Sequence, residues 1–455
     1  MTLTDTIVQS FRERIRNSEL KQGDKLPSIR KSAQEFGVSK NTVVEAYDRL
    51  LAAGMITSRQ GYGFTVVDTS RQSPNARLKH VTEAVDVVSL LSAQLEQSFT
   101  IRVGDGRPPP SWTEQSEVRR YLNRAQKFGN VDRDGYGSAM GLPELRERLA
   151  LDITRREVAV DPDQILLTFG ANHALDLIIR HYLAPGDTAF VDEPGYYPLF
   201  AKLKLAQVNI VGIKRQPSGP DIEDLEAKTR RYKPRLFFTQ STGHNPTGGF
   251  TNLPTAHALL NIAAKNKFLV VEDEPFSDLP GIQGTGLMPL DQLENIIYVG
   301  TFSKTLSASL RCGFIAARSD IVSDLAELKM LTTVNSSGHI EHLVHGLIAE
   351  GHYSRHLKRL SQRIARTTEK VMANLDRLGL TTFSPPGGGY YLYLNLPDHA
   401  LDIDLAKAGA REDILIAPGS VFCADTDHGS SGIRINIARA DSARFYDFLK
   451  RHLLS

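Results

Sequence analysis

Apolar runs of four residues, separated by amphipathic helices, constrain the fold of this 455-residue chain more than any other feature of its sequence. The clearest runs follow a triple proline and lie at residues 165–168, 188–191, 236–239, 268–271 and 296–299. Strands that alternate with helices usually run parallel, and helices cover both faces of their sheet. The sequence therefore predicts a large α/β domain with a mainly parallel sheet.

The first 68 residues carry a different pattern, with three amphipathic helices followed by two short strands. Ser28 and Ser39 can cap the second and third helices, and Gly37 ends the second, so a turn of a few residues joins the two. A hairpin pattern follows at residues 55–58 and 64–67, with Arg-Gln-Gly-Tyr-Gly at its turn. This order of elements is typical of a winged helix-turn-helix domain.

A polar segment separates the two patterns. Residues 69–77 read TSRQSPNAR, which predicts a linker, and the next twenty residues predict a short helix. The expected domains are therefore residues 1–68 and 99–455, joined by residues 69–98. The chain is longer than one hydrophobic core usually supports, and its 41% hydrophobic and 23% charged residues are typical of a globular protein.

Composition also argues against several classes of protein. No run approaches the ~18 apolar residues of a membrane helix, and the N-terminus lacks the apolar core of a signal peptide. We therefore expect a cytoplasmic protein that does not bind a membrane. Cys312 and Cys423 are too few for a disulfide framework or a cysteine-based zinc site, so we expect no bound metal.

The segment LPSIRKSAQEFGVSKNTVVEAYDRLLAAGMITSRQGYGFTV makes residues 10–67 resemble the GntR family of winged-helix regulators. Its third helix begins with hydrogen-bonding side chains at Ser39, Lys40, Asn41 and Thr42. Such side chains at the start of a recognition helix can contact base edges and phosphates. Double-stranded operator DNA is therefore the expected partner of this domain.

Further DNA contacts are implied by the same resemblance. Ser28 and Arg30, at the start of the second helix, would hold the DNA backbone. Glycines of the wing, Gly61 among them, would let Arg59 and Gln60 approach the minor groove. Taken one at a time, these charged residues could equally be solvated surface groups, and the ordered arrangement of motifs favours the DNA interpretation.

From about residue 99 to its C-terminus the chain resembles the fold-type I aminotransferases, and with the GntR-like head it resembles the MocR/GabR subfamily. Lys304, in Val-Gly-Thr-Phe-Ser-Lys-Thr-Leu, occupies the position that forms a Schiff base with pyridoxal 5'-phosphate in these enzymes. The cofactor's phosphate would be held by a helix N-terminus, hydroxyl groups and a guanidinium. These groups belong to Gly170, Ala171, Asn172, Thr301, Ser303 and Arg311.

The remaining site residues also follow from the resemblance. Asp273 would pair with the protonated pyridine nitrogen, and Asn245 would hydrogen-bond the phenolic oxygen. Tyr196 would stack on the ring, with Tyr197 as the alternative. Arg434 would bind a substrate or effector carboxylate with its planar fork of N–H groups.

Tyr136 matches a tyrosine that reaches the phosphate from the neighbouring subunit, so the resemblance implies a homodimer. Phe276 is a departure, because many of these enzymes have a tyrosine there whose hydroxyl contacts the phenolic oxygen. Its loss makes efficient transamination doubtful and leaves cofactor binding plausible, although Phe276 could also be a packing variant. Whether the chain is an enzyme therefore stays open.

Two functions fit these features. In the first, the chain is a transcription regulator whose large domain senses pyridoxal 5'-phosphate, another B6 vitamer or an amino compound. In the second, it is a working aminotransferase with a regulatory DNA-binding head. The first is favoured because a recognition helix and a wing have no use in amino-group transfer. A scaffold that has lost its cofactor is disfavoured because Lys304 and its expected partners are all present.

Overall fold

A computed structural model describes residues 3–16, 19–20, 23–52, 55–59, 63–66, 99–113, 116–125, 135–424 and 432–454. The chain forms two compact units, Met1–Leu78 and Lys79–Ser455. The predicted linker at residues 69–98 and its short helix lie outside the described residues. Within the described part of the chain, no helix is both long enough and apolar enough to cross a membrane.

The smaller unit is a winged helix-turn-helix, as predicted. Helices α1 (Leu3–Arg16), α2 (Ile29–Glu35) and α3 (Lys40–Ala52) are followed by an antiparallel hairpin of β1 (Ile56–Arg59) and β2 (Gly63–Val66). The strands differ by one residue from the prediction because the ladder closes on the pair Arg59 and Gly63, and Gly63 has a φ of +88°, which favours glycine.

The core of this unit lies between the three helices and the hairpin. Phe11, Val43 and Leu50 are fully buried in it. Tyr47 is also fully buried, and its hydroxyl donates to the carbonyl of Pro27 at 2.8 Å and lies 2.8 Å from the hydroxyl of Ser32. These contacts fix α2 against α3, which is the spacing that a helix-turn-helix requires.

The larger unit contains the remaining helices and strands. Its helices are α4 (Ser116–Ala125), α5 (Pro143–Thr154), α6 (Ala171–Tyr182), α7 (Tyr197–Leu205), α8 (Ile222–Tyr232), α9 (Leu253–Asn266), α10 (Leu287–Asp291), α11 (Ser319–Thr333), α12 (Gly338–Ala349), α13 (His352–Arg377), α14 (Asp402–Arg411) and α15 (Ala443–Leu453). Its strands are β3 (Ile165–Thr168), β4 (Thr188–Glu193), β5 (Asn209–Gln216), β6 (Gly219–Pro220), β7 (Leu236–Thr239), β8 (Leu269–Glu274), β9 (Ile296–Thr301), β10 (Gly313–Ala316), β11 (Tyr391–Asn395), β12 (Ala417–Pro418) and β13 (Gly432–Asn436).

Eight of these strands form one sheet in the order β3-β10-β9-β8-β7-β4-β5-β6. The strands from β9 to β5 are parallel, whereas β10 is antiparallel to both of its neighbours and β6 is antiparallel to β5. The prediction of a mainly parallel sheet is confirmed, and each predicted apolar run contributes to one of the strands. Phe268 precedes β8 because its N–H still bonds the carbonyl of Ala263 in α9.

Both faces of this sheet are buried. Along β9, Ile296 and Tyr298 belong to one apolar core, and Ile297 and Val299 belong to another. This alternation is that of a strand covered on both sides. A separate antiparallel sheet has the order β11-β13-β12 and places Arg434 opposite Tyr393.

Candidate functional site

The carboxyl ends of the parallel strands bring the predicted cofactor residues to one edge of the large sheet. Tyr196 follows β4, Asn245 follows β7, Asp273 lies near the end of β8, and Thr301 ends β9. In open α/β sheets this edge is where ligands bind. The topology therefore assembles residues that are far apart in the sequence.

Lys304 lies just beyond β9 and is half-buried. Its Nζ donates to the carbonyl oxygen of Gly106 at 2.7 Å, and the hydroxyl of Tyr391 donates to the same oxygen at 2.8 Å. The amine is therefore held in place at the edge of the sheet by a backbone acceptor. A positioned, partly desolvated amine can act as a nucleophile towards a carbonyl compound in its neutral form.

Asp273 has the environment expected of a partner for a cationic ring. Its Oδ2 accepts from Nε2 of Gln240 at 2.8 Å, whereas Oδ1 is buried and has no hydrogen-bond partner among the described residues. Burial raises the pKa of Asp273 to about 6, against the opposing effects of the Gln240 hydrogen bond and the charge of Lys304. A buried acceptor of this kind fits the protonated nitrogen of pyridoxal 5'-phosphate.

Hydroxyl and guanidinium groups converge beside the start of α6. The Thr301 hydroxyl donates to Oγ of Ser303 at 3.2 Å, and Nη1 of Arg311 donates to the same oxygen at 3.4 Å. Gly170 caps α6 with a φ of +85°, and a Cβ there would lie 3.2 Å from Nη2 of Arg311. This arrangement, called the phosphate cup below, fits a phosphate group because it combines donors, a positive charge and a helix N-terminus.

The first two residues of α6, Ala171 and Asn172, occupy the helix start as predicted. Asn172 is exposed, and Ala171 is half-buried. Their backbone N–H groups belong to the first turn, where such groups have no partner within the helix. The structure thus places the strand-to-helix turn against Ser303 and Arg311.

Arg434 is buried on β13 between two aromatic rings. Its guanidinium carbon lies 5.2 Å from the ring centre of Tyr391 and 4.9 Å from that of Phe422. Nη1 donates to Oδ1 of Asn245 at 3.0 Å, and Nη2 donates to the carbonyl of Gly104 at 2.7 Å. Nε is buried without a partner in the described part of the chain, so the group retains capacity to bind a carboxylate.

The two candidate stacking tyrosines have different surroundings. Tyr197 is buried and packs edge-on against Phe422 at 5.3 Å, as a core residue would. Burial raises the pKa of Tyr196, and so does its proximity to Asp273. Tyr196 and Asp273 also line the same cavity, so Tyr196 stays the predicted stacking residue.

Two other predicted positions lie in contrasting environments. Tyr136 is 90% exposed, so most of its ring is available to a partner. Phe276 is fully buried and packs edge-on against Tyr390 at 5.2 Å and Tyr391 at 5.6 Å. Two tyrosine hydroxyls reach the Lys304 region: that of Tyr390 donates to the carbonyl oxygen of Lys304 at 3.0 Å, and that of Tyr391 donates to the carbonyl oxygen of Gly106.

Sequence reasoning missed a buried ionic network behind the site. Oδ2 of Asp192 accepts from Nη1 of Arg215 and from the Thr239 hydroxyl, both at 2.8 Å, and lies 3.4 Å from Nε2 of His244. Burial, assisted by the positive charge of Arg215, lowers the pKa of His244 to about 4. The network joins the ends of β4 and β7 and so positions Gln240, the partner of Asp273.

The predicted DNA-binding residues cluster at the starts of α2 and α3. Ser28 accepts from the N–H of Lys31 at 3.3 Å, and Ser39 accepts from the N–H of Thr42 at 3.2 Å, so both act as caps. Ser39 Oγ also lies 2.9 Å from Oγ1 of Thr42. In these first turns, Lys31 is exposed and Thr42 is half-buried.

Three further residues of this cluster, Arg30, Lys40 and Asn41, are exposed. Arg59 ends β1, and its side chain is outside the described part of the chain. Gln60 and Gly61 of the wing also lie outside the described residues. The wing contacts therefore stay predictions.

Comparison with known families agrees with this division of the chain. Residues 103–451 match the model of the family described as aminotransferase class I and II. Residues 3–66 match the model of the bacterial regulatory proteins, gntR family. The two matches cover the two units separately.

Individual relatives and solved structures match most of this chain. The chain is 25% identical to the "Uncharacterized HTH-type transcriptional regulator YisV" of Bacillus subtilis, over 91% of this chain and 88% of that protein. It is 28% identical to the "Probable rhizopine catabolism regulatory protein MocR" of Rhizobium meliloti, over 82% and 76%. The crystal structure of LysN, the α-aminoadipate aminotransferase of Thermus thermophilus, complexed with N-(5'-phosphopyridoxyl)-L-leucine, is similar with a TM-score of 0.74 and 25% identity, covering 82% of this chain and 96% of that one.

Proposed function

Because the chain belongs to the aminotransferase class I and II family and carries a gntR-family domain, we propose that it is a transcription regulator that binds operator DNA and responds to pyridoxal 5'-phosphate or an amino compound. One observation carries the proposal. Lys304, Asp273 and the phosphate cup converge at one sheet edge, on a chain whose other unit exposes Arg30 and Lys40 at two capped helix starts.

The residues of this chain have distinct roles in holding the cofactor. When bound, pyridoxal 5'-phosphate supplies an aldehyde and an electron-accepting ring. Lys304 would provide the amine for the aldehyde, and Oδ1 of Asp273 would provide the acceptor for the ring nitrogen. Arg311 would neutralise the phosphate, and Ser303 and Arg311 would hydrogen-bond it. Together these residues would hold the cofactor at the edge of the sheet.

Arg434 supports an effector that carries a carboxylate. Its buried guanidinium is already bonded to Asn245 and Gly104, so it is fixed in place before any ligand arrives. A carboxylate would bind at the remaining N–H groups, and Asn245 would hold the guanidinium plane in position. An amino acid is therefore a better candidate than a simple amine.

A working aminotransferase is the second candidate function. The specific observation in its favour is that Lys304, Asp273 and Arg434 converge, with an unused N–H donor on Arg434 and an unused acceptor oxygen on Asp273 among the described residues, as a substrate-binding site requires. The buried Phe276 in place of a tyrosine argues for slow turnover, because it offers no hydroxyl at that position. Under the regulator proposal, the bound ligand persists rather than being converted.

A homodimer is part of the proposal. Tyr136 is 90% exposed, and Leu331, Met330 and Val334 of the α11 region are 86%, 52% and 46% exposed. An apolar surface of this kind is typical of a protein interface. Covered by a second copy, it would bring Tyr136 to the partner, as the family resemblance implies.

The regulator proposal is tested by operator binding. A DNA site selected in vitro should bind the full chain with a salt-dependent affinity, and replacing Arg30, Lys40 and Asn41 together by Ala should abolish specific binding. Arg12→Ala, which removes an exposed charge of α1, is the matched control and should keep it. Loading with pyridoxal 5'-phosphate should change operator affinity by about 5–150-fold, the range of typical allosteric coupling.

Lys304→Ala separates this reading from its alternative. The variant should no longer retain the cofactor after borohydride reduction, and its operator affinity should not respond to the cofactor. Rapid amino-group transfer by the wild type, together with an operator affinity that cofactor and amino acids do not change, would overturn the regulator proposal in favour of a working aminotransferase.

A further inference from the structure

Besides the candidate cofactor site, the larger unit contains a cavity whose described lining includes none of the residues assigned to the cofactor. Its volume is about 340 Å³, and arginines line it at four described positions, Arg102, Arg107, Arg119 and Arg439. Its described lining includes no Asp or Glu and no residue of the phosphate cup. We call it the arginine cavity.

Three of the arginines that line this cavity surround one buried carboxylate. Asp105 is fully buried, and its oxygens lie 2.6 Å from Nη2 of Arg102, 3.1 Å from Nε of Arg107 and 3.4 Å from Nη2 of Arg439. Among the described residues, three guanidinium groups thus lie around one carboxylate, and the exposed Arg119 adds a fourth guanidinium to the lining. Partly buried charges interact more strongly than charges in water, so a cluster of arginines attracts an anion.

The rest of the lining defines the size and chemistry of that anion. The hydroxyls of Ser307 and Ser309 lie 2.9 Å apart, which leaves one O–H of the pair able to donate to a ligand, and proline side chains supply apolar contact. Guanidinium groups bind phosphate and carboxylate with paired N–H bonds. We propose that the arginine cavity binds a small molecule with two negative charges, carried by a phosphate or by two carboxylates.

The cavity is connected to the Lys304 site through three residues. Gly106 accepts the hydrogen bond from Lys304, and Gly104 accepts one from Arg434, both at 2.7 Å. Between them, Asp105 holds the arginines of the cavity. An anion that competes with Asp105 for these arginines therefore acts on the segment that positions Lys304 and Arg434. The binding stands by itself, whereas this coupling rests on the proposed function.

Titration calorimetry of the full chain with inorganic phosphate and, separately, with succinate tests the binding, in a buffer free of other phosphate and carboxylate. Arg119→Gln and Arg107→Gln should each lower the affinity for the anion by about tenfold or more, because each removes a charge-assisted partner. Arg120→Gln is the matched control, since this neighbouring arginine of α4 pairs with Glu117 at 3.6 Å and does not line the cavity. Whichever probe binds in this pattern identifies the anion chemistry.

Arg311→Gln locates the binding independently, because it removes the cation of the phosphate cup. Unchanged anion affinity in this variant, with loss in Arg119→Gln, supports the arginine cavity. Loss in Arg311→Gln with no change in Arg119→Gln would place the anion in the cup, which overturns the inference and leaves the proposed function intact. Failure of both probes to bind the wild type, or equal binding by all variants, also overturns it. Arg119 is exposed, so its variant should fold normally, which an unchanged thermal midpoint verifies.

Discussion

Asp273 shows how a single buried side chain can oppose folding and support binding. Its carboxylate is enclosed by the protein, and Gln240 satisfies one of its oxygens while the other has no partner in the described part of the chain. Burying a charge that is incompletely paired is costly. A cationic group beside Oδ1 would remove that cost, so the same atom that destabilises the cofactor-free chain should strengthen cofactor binding.

We predict that Asp273→Asn raises the thermal midpoint of the cofactor-free protein at about pH 8 and has little effect near pH 4. An unfolded Asp titrates near 3.9, whereas burial raises the pKa of the folded one to about 6. The charged carboxylate therefore costs stability progressively as pH rises from about 4 to about 6, and the full cost persists above that window. The upper bound of this stability cost is ~3 kcal/mol, at 1.36 kcal/mol per pKa unit.

The exposed Asp376 supplies the control, since Asp376→Asn should shift the midpoint little at any pH. Asp273→Asn should also lose most of its affinity for pyridoxal 5'-phosphate, because the amide cannot pair as a charge with the ring nitrogen. A variant that binds the cofactor normally would show that Asp273 is not the partner of the ring.

At the level of elements, the turn between β3 and α6 combines an unusual backbone with a close approach. Gly170 has φ +85° and ψ 171°, a conformation that is essentially restricted to glycine. A side chain there would also press on the phosphate cup, at 3.2 Å from Nη2 of Arg311 and 3.4 Å from Oγ of Ser303. Strain and crowding are thus separate consequences of the same substitution.

We predict that Gly170→Ala lowers cofactor affinity by about tenfold or more, because the loss of one charge-assisted contact has an effect of that size. Gly186→Ala is the control, because Gly186 has φ +91° but nothing within 4 Å of an added Cβ. Both variants should lose about 1–3 kcal/mol of stability through backbone strain. Absorbance titration with the cofactor separates them, and equal affinity in the two variants would contradict a role for the turn in the cup.

Local patterns predicted much of this architecture. The apolar runs mark β3, β4, β7, β8 and β9, because a strand buried on both faces is apolar throughout. The antiparallel insertion of β10 between β3 and β9 could not be read in the same way, since strand order depends on contacts between distant segments. Boundaries also shifted, as at the wing, where the geometry of Gly63 decides where the ladder closes.

The residues of the candidate site also divide into those that local sequence motifs could indicate and those that only the fold brings together. Lys304, Asp273 and Arg434 lie in recognisable motifs, so the family resemblance could indicate them. Gly106 and Tyr391 lie in no such motif. Folding brings Gly106 to Lys304 across 198 residues of sequence, and brings Tyr391 to Gly106 across 285 residues. Gln240 could have been found, because it directly follows β7 at the carboxyl edge of the sheet.

At the level of the whole molecule, each unit has its own apolar core. The core of the winged helix is formed by its own helices and hairpin, separately from the two cores of the larger unit. Under the regulator proposal, the ligand site and the DNA-binding residues therefore belong to units with separate cores. In a dimer, the larger unit would fix the spacing of two winged helices, which sets the half-site distance on DNA.

We predict that Leu331→Glu makes the protein monomeric and weakens operator binding, because it places a charge on a surface that we expect a second copy to cover. Sedimentation velocity measures the first effect and DNA titration the second. Leu401→Glu, at another exposed leucine of the same unit (66%), is the control and should leave both unchanged. A dimeric Leu331→Glu protein would place the interface elsewhere.

The carbonyl of Gly106 affects every ligand affinity measured at Lys304, because Nζ exchanges its hydrogen bond to this carbonyl for a bond to the ligand. That oxygen accepts hydrogen bonds from the amine and from the hydroxyl of Tyr391. A carbonyl compound that bonds to Nζ must first displace this internal competitor, which is worth about 1 kcal/mol for an ordinary hydrogen bond. The Gly106 carbonyl thus acts as an intramolecular competitor of the ligand. A change in the geometry of Gly106 would alter the ligand concentration at which the site becomes occupied.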